Sequence, residues 1–225
     1  MTPARVALVG GNEFRRDCDA MDRTLLELAG GARPSVAILP TAAARENPRL
    51  AGHNGVRHFK RLGARAQAVM IVDRKTANQP ELVAALEHSH LIYLTGGDAV
   101  HLLDSLSRSH AWDVMLARHA QGVVLVGSSA GAMVLGGQMW GFDGWTPGLG
   151  LLPNIAVLPH HATLSARWDA PAMAASLPPG VTLVGVDEAT ALLLPDGRVL
   201  GVGEVTVYGS EGVRAYGERE VVRSV

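Results

Sequence analysis

The chain has 225 residues, 48% hydrophobic and 18% charged, with 20 Lys and Arg against 21 Asp and Glu for a formal net charge of −1. That composition supplies a core and excludes a disordered chain, and without a dense Lys/Arg block it argues against nucleic acid or an anionic membrane surface as a partner. The one cysteine, Cys18, has no internal disulfide partner, which favours a reducing, cytoplasmic location, and no signal peptide or membrane-length apolar run is visible.

Strand-like apolar runs alternate with helical patterns through the first two thirds. Val6 to Val9 reads as a strand, and Met21 to Leu28 as a helix with Asp19 as its N-cap. Ser35 to Leu39 is a second strand halted by Pro40, followed by a helix over Arg49 to Leu62 and a third strand over Ala66 to Val72. Pro80 to Glu87 is helical with Pro80 in the first turn, and Leu91 to Leu94 is a strand closed by Thr95-Gly96-Gly97-Asp98. Helices over Val100 to Leu106 and Trp112 to His119 precede the apolar run Val123 to Val126. Strands separated by helix-length segments imply right-handed crossovers and a mainly parallel sheet with helices on both faces.

The last third changes character. Gly141 to Pro153 reads as a Gly/Pro/Trp-rich loop, Ile155 to Leu158 as a strand entering Pro159-His160-His161, and Trp168 to Leu177 as a helix. Val181 to Val186 is a strand ending in Asp187-Glu188, and Ala191 to Leu194 with Arg198 to Val202 form a hairpin across Pro195-Asp196-Gly197. Val205 to Tyr208 and Val213 to Tyr216 add antiparallel strands. The fold expected is one doubly wound α/β domain over residues 1–225, with an antiparallel C-terminal edge.

Gly127, Ser129 and Gly131 fit G-x-S-x-G between a strand and a helical pattern, the context of a nucleophile elbow. Such a turn lifts the serine hydroxyl clear of the sheet, and its glycines avoid collisions with the neighbouring backbone. Carboxyl ends of parallel strands are where functional groups gather, and the other ends carry Gly96-Gly97-Asp98, His160-His161 and Asp187-Glu188. An imidazole is the usual base for a serine hydroxyl, and a carboxylate holds its tautomer. One of His160 and His161 reaches Ser129, because adjacent strand residues face opposite ways. One of Asp187 and Glu188 supplies the acid, with Asp143 and Asp169 as other candidates, of which only Asp143 lies between Ser129 and His160. The N–H of Ala130 and one from Gly96-Gly97 provide oxyanion donors. The order Ser, His, acid departs from the Ser, acid, His order of α/β-hydrolases. His88 and His90 lack metal-ligand spacing, and neither a metal nor a cofactor is expected.

With these residues in place, the sequence resembles the peptidase E and cyanophycinase family of serine peptidases, whose fold is similar to class I glutamine amidotransferases. Gly127-Ser128-Ser129-Ala130-Gly131-Ala132 looks like the family's G-x-S-A-G-A, which implies Ser129 as nucleophile. Leu94 to Asp98 resembles its glycine segment and implies Gly97 as oxyanion donor beside Ala130. Pro159-His160 implies His160 as base, with His161 replacing the family's aromatic residue. Gly185 to Ala191 resembles the segment of the third triad member and implies Glu188. The resemblance makes Arg167 the nearest candidate for a substrate-binding arginine and matches Asp143 to a loop aspartate. It implies hydrolysis of short peptides through an acyl-enzyme, and a homodimer. Cyanophycinase-like or esterase/amidase hydrolysis, or small-molecule binding by a catalytically weak relative, are the alternatives.

Overall fold

Every second residue of the first strand, β1 (Val6–Val9), faces a different core, and all four are buried. Val6 and Leu8 enter one hydrophobic cluster while Ala7 and Val9 enter another, which a strand buried on both faces requires. The computed structural model describes residues 4–165, 167–210 and 212–223. Along the chain follow α1 (Asp19–Ala29), β2 (Ser35–Leu39), α2 (Pro48–Arg61), β3 (Arg65–Ala68), α3 (Pro80–Glu87) and β4 (Leu91–Leu94). Next come α4 (Ala99–Leu106), α5 (His110–Ala120), β5 (Val124–Ser128), α6 (Ala130–Leu135), β6 (Gly136–Gly141) and β7 (Gly144–Pro147). The remainder is β8 (Leu152–Pro159), α7 (His161–Leu164), α8 (Ala170–Ala175), β9 (Thr182–Val186), β10 (Thr190–Leu194), β11 (Arg198–Gly201), β12 (Val205–Gly209) and β13 (Gly212–Tyr216).

A mixed α/β fold with an antiparallel C-terminal edge is present. The first sheet has seven strands in the order β11-β10-β1-β5-β4-β2-β3. Strands β1 to β5 run parallel, while β10 and β11 are antiparallel at the edge. Helices α1 and α2 cover one face through Met21, Leu25 and Phe59; α4 and α5 cover the other through Leu102, Leu106 and Met115.

The sequence reading missed a second sheet of six strands, ordered β13-β12-β9-β8-β6-β7. Its inner face (Val157, Val184, Val186, Val205) shares one apolar cluster with α6 and the first sheet. Its outer face packs Ala156, Leu158 and Leu183 under Ala170 and Met173 of α8. Part of the expected loop 141–153 is strand: β6 and β7 pair as a hairpin, with Trp140 edge-on to Trp145 at 5.1 Å. Pairing between β6 and β8 supplies the stabilisation that the glycines lack locally.

Three boundaries also differ. Strand β3 stops at Ala68, because its pairing with β2 runs only from Ser35↔Arg65 to Ile38↔Ala68. Asp19 does not cap α1; its carboxylate is taken by Arg61 of α2, with Nη2 at 2.6 Å from Oδ1. Helix α8 starts at Ala170 rather than Trp168, since the Asp169 carboxylate accepts the Ala172 N–H at 3.0 Å and Pro171 occupies the first turn.

Candidate active site

The two sheets meet along a backbone seam at their carboxyl ends. Gly10 lies on that seam, where a Cβ would come within 2.6 Å of the Asp187 carbonyl carbon. The His160 N–H donates to Gly10 O at 2.8 Å, the Ala189 N–H to Gly11 O at 3.0 Å, and the Ser129 N–H to Val9 O at 2.9 Å. Residues following β5, β8 and β9 are thereby pinned around the end of β1.

At the end of β5 the chain turns sharply into α6. Ser129 adopts φ 50°, ψ −112°, outside the ordinary regions for an L-residue. Both flanking glycines are required by contact. A Cβ on Gly127 would lie 2.7 Å from Ala132 N, and one on Gly131 2.5 Å from Leu94 O.

His160 Nε2 stands 3.0 Å from Ser129 Oγ, and Nδ1 stands 2.7 Å from Glu188 Oε1. A carboxylate only accepts, so Nδ1 carries the proton and Nε2 is left to accept the serine hydroxyl. The other oxygen, Glu188 Oε2, accepts from Asn12 Nδ2 at 2.6 Å. His160 itself sits in the left-handed region at φ 51°, ψ 37°, which swings its ring out of the line of β8.

Both neighbouring alternatives point elsewhere. His161 Nε2 pairs with Tyr208 OH at 2.8 Å, and burial holds its imidazole below the ordinary pKa of 6.5. Asp187 accepts the N–H of Ala162 on Oδ1 at 2.9 Å and that of Glu204 on Oδ2 at 2.9 Å. Neither contacts Ser129 among the described hydrogen bonds.

The oxyanion candidates separate in the same way. The Gly96 N–H is occupied by Glu13 Oε1 at 2.9 Å. Among the described hydrogen bonds the N–H groups of Gly97 and Ala130 have no partner. Arg167 and Asp143 are exposed, Arg167 between α7 and α8 and Asp143 at the β6–β7 turn. Neither side chain bonds to Ser129, His160 or Glu188 among the described residues. Strand β6 runs parallel to β8, so the turn holding Asp143 lies at the same end of the sheet as His160.

The loop after β1 was not singled out from the sequence, yet Gly11, Asn12 and Glu13 all touch the site. A Gly-Gly pair at the end of a central parallel strand was the available signal. Among the described residues seven non-glycine positions have positive φ, and Asn12, Phe14, Ser129, His160 and Ala189 are among them. Five of these strained positions therefore lie at the site or beside it, where surrounding contacts must hold them. Among the described residues no group of three or more His, Cys, Asp or Glu side chains is disposed to hold a metal ion, and no helix is long and apolar enough to cross a membrane.

A mixed α/β fold carrying serine, imidazole and carboxylate in one hydrogen-bonded line at its strand ends belongs to the hydrolase class. The chain is a member of peptidase family S51, whose family model matches residues 6–202. It is 31% identical over 222 residues to a cyanophycinase from Nostoc sp., covering 92% of this chain and 74% of that protein. A cyanophycinase from Synechococcus elongatus is 31% identical over 218 residues, covering 90% of this chain and 67% of the other. The crystal structure of a peptidase from an acI-B1 Actinobacterium superposes with a TM-score of 0.88 at 28% identity, covering 98% of this chain and 96% of that one. A putative peptidase E protein from Listeria monocytogenes shares the fold, with a TM-score of 0.64 at 18% identity over 94% of this chain and 97% of that one. The protein is thus a peptidase by family.

Proposed function

We propose that the protein is a serine peptidase that cleaves short peptides through an acyl-enzyme, with Ser129, His160 and Glu188 as its triad. The observation that carries this reading is the continuous line from Glu188 Oε1 through both His160 nitrogens to Ser129 Oγ, at 2.7 and 3.0 Å. In the first step His160 Nε2 takes the hydroxyl proton while Oγ bonds to the scissile carbonyl carbon. The N–H groups of Gly97 and Ala130 stabilise the oxyanion. His160 then returns its proton to the leaving amine as the C–N bond breaks. Water, activated by the same imidazole, hydrolyses the acyl-serine. Glu188 keeps Nδ1 protonated and stabilises the imidazolium.

The exposed guanidinium of Arg167, on the segment that follows His160, is assigned to a carboxylate of the substrate, and Asp143 to its amino end. The shared apolar cluster of the two sheets supports treating residues 1–225 as one domain. The buried unpaired thiol of Cys18 supports a cytoplasmic enzyme. Family resemblance supports a homodimer, which light scattering tests.

Similarity to cyanophycinases favours a second reading, hydrolysis of cyanophycin itself. Digestion of a mixed di- and tripeptide library and of cyanophycin, read by mass spectrometry with Ser129→Ala as control, decides between them. Loss of cleavage in Ser129→Ala is expected. Equal cleavage by both proteins would overturn the serine mechanism.

A further inference from the structure

We infer that Glu13 is a positioning residue that fixes the oxyanion side of the site, an inference that rests on the serine-peptidase reading above. Its carboxylate spans the ends of two adjacent strands. Oε1 accepts the Gly96 N–H after β4 at 2.9 Å, and Oε2 accepts the Ser128 hydroxyl at the end of β5 at 2.8 Å. One side chain from the loop after β1 therefore ties the glycine segment to the residue preceding the nucleophile.

The consequence falls on Gly97. A Gly-Gly pair has wide backbone freedom, so its N–H groups have no preferred direction of their own. Here the Thr95–Gly96 peptide is held through Gly96 N–H by Glu13, and the Gly97–Asp98 peptide through Asp98 N–H, which donates to Ala42 O at 2.8 Å, so that the peptide carrying Gly97 N–H lies between two fixed ones. A Cβ on Gly97 would come 2.5 Å from Ala42 C, so that segment is packed as well as bonded. Bracketed on both sides, the Gly97 N–H keeps one direction. Gly96 also packs against the nucleophile, since a Cβ there would meet Ser129 Cβ at 3.2 Å and Glu13 Oε1 at 3.3 Å. A donor held in advance stabilises an oxyanion without reorganisation during the reaction.

Geometry, not charge, is what Glu13 provides. A negative carboxylate beside a developing oxyanion is unfavourable electrostatically. Glutamine keeps both bonds: its carbonyl oxygen accepts from Gly96 N–H and its amide donates to the Ser128 hydroxyl, which also accepts. Glu13→Gln should therefore work where Glu13→Ala does not.

The test is the rate at which a fluorophosphonate probe labels Ser129, which needs no knowledge of the natural substrate. In that reaction the Oγ–P bond forms, the P–F bond breaks, fluoride leaves, and the hydroxyl proton passes to His160. The phosphoryl oxygen occupies the oxyanion site. Glu13→Ala is expected to label at least about 30-fold more slowly than wild type, approaching the roughly 100-fold or greater cost of removing a donor outright. Glu13→Gln should stay within about fivefold. Labelling of Glu13→Ala at the wild-type rate, or equal slowing in both variants, overturns the inference. If Glu13→Ala does not fold, Ser128→Ala decides, because it frees only Oε2. A loss of roughly three- to tenfold is expected there, and an unchanged rate overturns the inference. Folded wild-type protein left unlabelled at Ser129 would instead sink the serine reading, and the role of Glu13 with it.

Discussion

The His160 ring rests against the bare Cα of Gly11: a Cβ there would come within 2.6 Å of Nε2 and 2.8 Å of Nδ1. Gly11 also has φ +126°, a conformation that side-chain-bearing residues rarely adopt. Two independent constraints thus demand glycine at the base of the imidazole. Gly11→Ala must push the ring away from Ser129, from Glu188 or from both. A shift of an ångström in a reacting group costs about 100-fold, so kcat/KM for a peptide found in the library screen should fall at least that far. Circular dichroism should show the fold retained. A variant within about threefold of wild type would show that the ring is not held where the geometry puts it.

Asn12 tests the far end of the same line. Its amide donates to Glu188 Oε2 at 2.6 Å, leaving Oε1 for His160. A hydrogen bond to a charged acceptor is worth about 1.5–3 kcal/mol, and partial exposure of the Glu188 side chain, 38%, argues for the lower end. Asn12→Ala should lower kcat by roughly tenfold with KM little changed. Asn12→Asp should be worse despite its similar shape, because two carboxylates then face each other across the same short gap. Steady-state kinetics of the two variants check the ranking. Faster turnover by Asn12→Asp than by Asn12→Ala would mean that the amide does not act by holding the carboxylate.

How legible the site was follows the range of the interactions. The elbow was readable because its pattern is local: Gly127 and Gly131 sit within four residues of each other, and although the collision Gly131 avoids is with Leu94 of β4, the one Gly127 avoids is inside the turn. His160 and Glu188 were readable as strand-end residues. Choosing them over His161 and Asp187 needed the family resemblance, because alternation separates neighbours without saying which faces the serine. Glu13 was invisible for a different reason. Its partners Gly96 and Ser128 lie 83 and 115 residues away, and nothing in the local pattern marks an acid that will accept from both. The second sheet was missed similarly. Gly136 to Gly141 has poor strand propensity, and its pairing comes from Gly144 to Pro147 across a turn and from Leu152 to Pro159 beyond that hairpin.

Cys18 separates serine from cysteine chemistry. Burial first, and then the charge of Asp22, push its thiol up to about 12. The side chain is fully buried behind the loop after β1, where Sγ donates to Asn12 O at 3.4 Å. Thiolate is the reactive form, so at about pH 8 almost none is present. Ellman's reagent should leave the native protein unmodified over the time in which the denatured chain reacts completely. Iodoacetamide should leave turnover unchanged. Rapid native modification together with loss of activity would reassign the nucleophile.

His161 gives the acid limb of stability a defined sign. Its ring is half-buried against Tyr208, and burial lowers its folded pKa below the ordinary 6.5, although Asp187 and Glu204 pull it the other way. Asp187 Oδ1 is 3.6 Å from Nδ1, near enough to limit the shift without reversing it. Below pH 6.5 the unfolded chain therefore binds a proton that the folded chain resists. Stability from this group is fully present above that pH, and is lost as pH falls towards the depressed folded value. His161→Phe keeps an aromatic ring beside Tyr208 and removes the titration. Its melting temperature should fall less steeply than that of wild type between about pH 6.5 and 5. Turnover above neutrality should be retained, because the base in the line to Ser129 is His160. Parallel acid limbs for the two proteins would show that His161 titrates alike in the folded and unfolded chain, and loss of turnover in the variant would move the base to His161.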